Sequence, residues 1–199
     1  MKTPKTKLLL ALGFCLALLA AGWILFDRQQ DVTLAKKFAD QAERVRRNTF
    51  DAVEFYNQIG LRGEVPTPEE LNAWQDRNTR IDAEAKQAAF QLRGAAKRES
   101  ALRWLMTQQA LRSARVSARV IAVSRIMFDY CTERQQFVSQ AVRGFSLSGR
   151  MAALSECFDQ QRREEDSALN RIRAEIERLE AAETDLWARF LAIAPEIGW

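Results

Sequence analysis

The stretch Leu8–Phe26, LLLALGFCLALLAAGWILF, constrains the rest of the chain: it holds no charge and no strong polar group. As a helix it would measure about 28 Å, the thickness of a bilayer's hydrocarbon core. Lys2, Lys5 and Lys7 precede it with no acid among them, and Asp27, Arg28 and Asp31 follow it. Positive charge is retained on the cytoplasmic side. The run therefore reads as a signal anchor at 8–26, with a cytoplasmic tail at 1–7. Residues 27–199 are expected outside the cytoplasm, in the periplasm if the source is bacterial. The competing reading is a signal peptide cut at Ala20-Ala21-Gly22. Signal cores run to about 7–15 residues, and that cut would leave Trp23-Ile24-Leu25-Phe26 as a greasy new terminus. Phe14 is too bulky for a lipoprotein signal at Cys15.

Charge and composition exclude several functions. The 30 basic and 26 acidic residues leave a net charge of +4 with both signs interspersed, so no concentrated basic face marks a nucleic-acid footprint. The chain has no histidine, which removes His-based metal sites, the usual general base, and Ser–His or Cys–His nucleophile pairs. No paired-carboxylate motif rises above the helix-surface background. The expectation is a non-enzyme with no catalytic residue, no metal and no cofactor.

With only 8 Gly and 4 Pro, long helices are expected, and no strand-like alternation of useful length occurs. Leu34, Phe38, Ala42, Val45, Ala52, Tyr56 and Ile59 keep helical spacing over about 30–59. Gly60–Pro66 breaks this helix. Thr67-Pro68-Glu69-Glu70 reads as a capping box opening a second helix, about 68–96. Gly94, with Ser100 as an N-cap, offers a stop and restart before a third helix, about 101–142. Gly144–Gly149 reads as a turn, and the fourth helix, about 151–194, carries Leu169, Ile172, Ile176, Leu179, Leu186, Phe190 and Ile193 in heptads. Glu183 is the one polar intrusion in that seam. The fold expected is all-α: a transmembrane helix, then an antiparallel four-helix bundle whose second hairpin is the longer.

Cys131 and Cys157 lie thirteen residues either side of Gly144, level in an antiparallel hairpin, so they are expected to form a disulfide. Trp23, Trp104, Trp187 and Trp199 all fall at the membrane end of the bundle, which predicts an interfacial belt; core packing is the alternative for Trp104 and Trp187. Arg103, Arg112, Arg115, Arg119 and Arg125 occur with no acid between Ser100 and Met127. They read first as interhelical ion pairs: Arg103 with Asp185, Arg112 and Arg115 with Glu175 and Glu177, Arg125 with Glu164 and Glu165. An anion-binding stripe is the alternative. The first hairpin spans about 45 Å and the second about 65 Å, so the second should overhang by about 20 Å. The overhang concentrates Phe137, Phe145, Leu147, Met151 and Leu154, an apolar set expected to contact a partner protein; folding back to plug the hairpin is the other use for Phe145 and Leu147.

This architecture resembles extracytoplasmic four-helix sensor bundles such as those of chemoreceptors and, more loosely, phage inner-membrane spanins. Neither likeness rests on a motif, and no family is assigned. A chemoreceptor returns through the membrane to a cytoplasmic signalling region, and no second apolar run of that length occurs here. The leading expectation is a membrane-anchored helical interaction module (an adaptor, scaffold or inhibitor) that binds a protein through residues 132–156. A ligand sensor acting through a partner or a homodimer is the alternative, and a spanin-like envelope bridge the second.

Overall fold

The computed structural model describes residues 4–63, 66–127 and 147–197. Among them the fold is all-helical, without strands: α1 Pro4–Arg62, α2 Pro68–Gln91, α3 Ala95–Met127, α4 Leu147–Ile193, and a closing 3-10 turn, Pro195–Ile197. α1 is a single 59-residue helix, and no Gly or Pro interrupts it between Trp23 and Ile59. Its length is about 88 Å. From Phe14 to Phe26 its large apolar side chains are more than half exposed wherever they are described, with Trp23 at 72% and Leu19 at 71%. Much of the apolar run, Leu8–Gly13 with Cys15 and Ala17, has side chains outside the description. Among the described residues no helix is long and apolar enough to cross a membrane.

Local chemistry sets the helix ends. Gly63 closes α1 with φ 67, a conformation that costs L side chains strain. The Thr67 hydroxyl accepts from the Glu70 amide at 3.2 Å while the Thr67 amide donates to Glu70 Oε2 at 2.9 Å, a complete capping box with Pro68 beside it. That amide, and then Arg62, hold the Glu70 carboxyl below the usual glutamate range.

The long pattern after α2 does break, at Leu92–Gly94, with Gly94 at φ 87. The restart differs from expectation: the Gly94 carbonyl accepts from the Arg98 amide, and Ser100 lies inside α3 rather than capping it. α4 likewise starts at Leu147, so Gly149 is helical instead of part of a turn. One glycine costs a helix about 1 kcal/mol, too little to stop an apolar seam of this length.

Ion pairs and ring contacts give the register. Lys37–Gln91 at 3.0 Å, Arg44–Glu84 at 2.6 Å and Asp51–Arg77 at 2.6 Å set α2 antiparallel to α1. α3 runs parallel to α1: Phe38 meets Trp104 at 6.2 Å near one end, and a Cβ on Gly60 would come 3.0 Å from Val123 near the other. α4 returns beside α3, with Trp187 5.1 Å from Trp104 and Glu180 2.5 Å from Arg115. At the foot, Arg93 bonds Asp27 and Gln30 and lies 3.4 Å from Asp31, which fixes the α2–α3 loop to α1 just past Phe26.

The main core lies next to this foot. Alanines let α1 and α2 approach closely, with Ala35, Ala39 and Ala42 on one side and Ala85, Ala88 and Ala89 on the other. Phe38, Val45, Leu92, Trp104, Leu105, Phe190 and Ile197 fill the remaining space. Dense aromatic and aliphatic burial of this kind is the main favourable term in folding.

α4 continues well past the level where α1 ends. Arg115 pairs with Glu180, so Val123, eight residues further out, is level with α4 near residue 172. The part of α4 before that point spans about 37 Å. No residue described from 155 to 178 is buried; Phe158, Leu169, Ile172 and Ile176 form a half-buried stripe. Residues 128–146 lie outside the described residues.

Candidate functional site

Polar side chains from all four helices converge at the waist of the bundle, just beyond the aromatic core. Asn48 on α1 is 2% exposed and donates from Nδ2 to Asn78 Oδ1 on α2 at 2.6 Å. Thr49, 1% exposed, returns its hydroxyl to the Val45 carbonyl at 3.1 Å. On α3, Gln108 is buried, and Arg112 bonds both oxygens of Asp82 on α2 in a fork-to-fork pair. α4 contributes Glu183. Its Oε1 accepts from Arg46 Nη2 at 2.6 Å, Arg46 Nε at 3.1 Å and the Trp104 indole nitrogen at 2.8 Å.

The Arg46 guanidinium also lies over two rings, 5.3 Å from the Trp104 centroid and 4.7 Å from that of Trp187. Such cation–π contacts gain strength where water is excluded. The Glu183 side chain is only 14% exposed, and these donors replace the water it gives up. The sequence marks Glu183 as an exception in the α4 seam but gives no sign of its partner, because Arg46 is one of three arginines in the run Arg44-Val45-Arg46-Arg47.

Outside this layer, α1 and α2 leave an open groove of about 650 Å³. Asn48, Ala73 and Ile81 line it together with Arg44 and Arg47 on one wall and Arg77 and Arg80 on the other. Phe50 stands at its rim, 70% exposed. Each wall is an R-x-x-R step along one helix, 44–47 and 77–80; that repeat is visible in the sequence, but only the antiparallel register brings the two steps face to face. Among the described residues no three or more Cys, Asp or Glu gather as a metal site.

The expected interfacial belt does not form as predicted. Trp104 is fully buried, in edge contact with Phe38, and Trp187 is half-buried against Phe38 and Phe190. A ring enclosed on all sides gains more from packing than from headgroups, so Trp104 is a core residue, with Trp187 packed at the core's edge. Trp23 is exposed beside the apolar run, and Trp199 lies outside the described residues.

The expected arginine pairs are replaced too. Arg103 bonds Glu99 at 2.6 Å and Asp185 bonds Arg189 at 2.8 Å, each within its own helix. Arg112 turns to α2, and Arg115 meets Glu180, three residues beyond Glu177. Glu175 is held by Arg178 at 2.5 Å, which keeps its carboxyl below the usual range. A pair one turn apart needs no tertiary register, so it forms first. Arg119 Nε is buried without a hydrogen bond; hydrogen bonds from Asn57 and then Gln58 hold the Glu54 carboxyl below the usual range, with the Arg119 charge adding least. The side chain of Arg125 is outside the described residues.

Of the expected partner-binding residues, Leu147, Met151 and Leu154 fall in the first turns of α4, with side chains outside the description; Phe137 and Phe145 lie outside it entirely. Cys157 is half-buried on α4, and Cys131 is outside the described residues. The chain matches no protein family, no curated protein and no solved structure.

Proposed function

We propose that this chain is a membrane-anchored, extracytoplasmic helical interaction module, an adaptor, scaffold or inhibitor, that engages a partner protein through the hairpin tip at 132–156. The observation that carries the reading is the reach of α4: about 37 Å beyond the level where α1 ends, with no buried residue described over 155–178. Its half-buried stripe of Phe158, Leu169, Ile172 and Ile176 lies away from the foot.

The anchor draws support from α1. The apolar run joins the bundle without a break, and its described large side chains make no burial of their own. The lysines before the run support a bundle outside the cytoplasm. The Cys131–Cys157 bridge belongs to the same proposal. Its support is the spacing: Cys131 and Cys157 lie thirteen residues either side of Gly144, level in an antiparallel hairpin. Closing that loop would contribute about 3.5 kcal/mol on the chain-entropy account.

The double change Phe145→Ser, Leu147→Ser tests the tip. It is expected to abolish copurification of a stoichiometric protein partner from detergent-solubilised membranes, while helicity and the melting temperature stay near wild type. Loss of several kcal/mol of stability would instead make both residues core and move the working surface elsewhere.

A further inference from the structure

The groove at the waist has no part in the proposed tip contact, and its unused hydrogen-bond capacity is what singles it out. A guanidinium carries five N–H donors in a planar fork. Arg44 uses Nη1 alone, towards Gln41 at 3.1 Å and Glu84 at 2.6 Å. Arg47 uses only Nε, towards Glu43 one turn earlier, at 3.0 Å. Arg77 uses only Nη2, towards Asp51 at 2.6 Å. Arg80 makes no ion pair or hydrogen bond to any described residue. Both terminal nitrogens of Arg47, the Nη1 and Nε of Arg77 and the whole Arg80 fork are therefore open to an incoming acceptor. They stand on facing helices around one cavity, and the carboxylates beside them each hold a single arginine.

The floor differs in character from the walls. Ala73 and Ile81 are apolar, and the Asn48 amide is already committed to Asn78. A ligand here would meet an apolar base, a ring of forked cations and one carboxylate, Asp51, which Arg77 Nη2 already holds at 2.6 Å. Bidentate guanidinium contacts select planar carboxylate or phosphate oxygens over a simple halide. One anionic group would satisfy one wall; two on a short skeleton would bridge both.

We propose that this groove binds a small polyanion carrying at least two carboxylate or phosphate groups, held between Arg47 on α1 and Arg80 with Arg77 on α2. The site joins the two helices of the first hairpin directly over the buried Asn48–Asn78 bond. A ligand there gives the bundle an effector that the tip contact does not need, and the inference is independent of the membrane anchor.

Citrate, with inorganic phosphate as the single-group comparison, is the probe. Titration calorimetry on the full chain in micelles at fixed ionic strength should give one citrate site per chain, with phosphate weaker. The pair Arg47→Gln, Arg80→Gln, both on exposed positions, should lower citrate affinity by at least about tenfold, the loss expected when a charge-assisted contact is removed. Arg178→Gln, a remote and 71% exposed arginine on α4, should leave it unchanged. No citrate heat would overturn the proposal. So would equal loss in both variants, which is general charge screening, or binding that survives the double change.

Discussion

Trp104→Ala is expected to destabilise the bundle by about 3–5 kcal/mol, the largest effect of any single change considered for this chain. The indole is fully buried and touches Phe38 and Trp187, and its nitrogen donates to Glu183 at 2.8 Å. Alanine would leave a cavity between α1, α3 and α4 and would remove one of the donors that hold a carboxylate mostly out of water. Urea denaturation of the full chain in micelles, followed by circular dichroism, measures the cost. A loss under about 1 kcal/mol would return Trp104 to the membrane interface where its sequence position alone puts it, because an interfacial ring leaves no cavity on truncation.

The second large effect is non-additive. Arg46→Ala strips Glu183 of two hydrogen bonds and leaves the Trp104 nitrogen as its remaining donor among the described contacts. It also removes a cation from the faces of Trp104 and Trp187. Breaking a fully buried pair from one side costs about 3–5 kcal/mol. The Arg46 side chain is 34% exposed, so water compensates in part and roughly 2 kcal/mol is expected. The double change Arg46→Met, Glu183→Gln takes both charges away while keeping an acceptor for the indole. It should lie within about 1 kcal/mol of wild type, since replacing a buried pair by matched neutral groups is often nearly neutral. A double-mutant cycle reads the difference. If the double variant costs as much as the two singles added together, Arg46 and Glu183 act independently and the waist is not a coupled layer.

These two effects mark where the sequence stops being legible. Helix content, the capping box at Thr67 and the break beside Gly94 are local: each depends on residues within a turn of one another, and each can be read from spacing. α3 restarts at Ala95 in place of Ala101, and α4 starts early, at Leu147, because single Ser and Gly signals are weaker than the helices they interrupt. The waist is the opposite case. Arg46 meets Glu183 across 137 positions of chain, and the groove needs Arg44 and Arg47 to face Arg77 and Arg80. Nothing local distinguishes these arginines from Arg103 or Arg178, which pair within their own helices. How far α4 continues past the end of α1 follows from the α3–α4 register and not from where helices end.

The account's central claim is that one unbroken helix carries the bundle out of the bilayer. Spin labels placed singly at Leu19, Arg28 and Lys36 of the full chain with Cys15 replaced, reconstituted in phosphatidylcholine vesicles, test it through collision with oxygen and with a water-soluble nickel chelate. The account predicts oxygen-rich, nickel-poor exposure at Leu19, intermediate values at Arg28, and nickel-rich exposure at Lys36, about 12 Å further along the helix. Equal nickel accessibility at all three positions would contradict it.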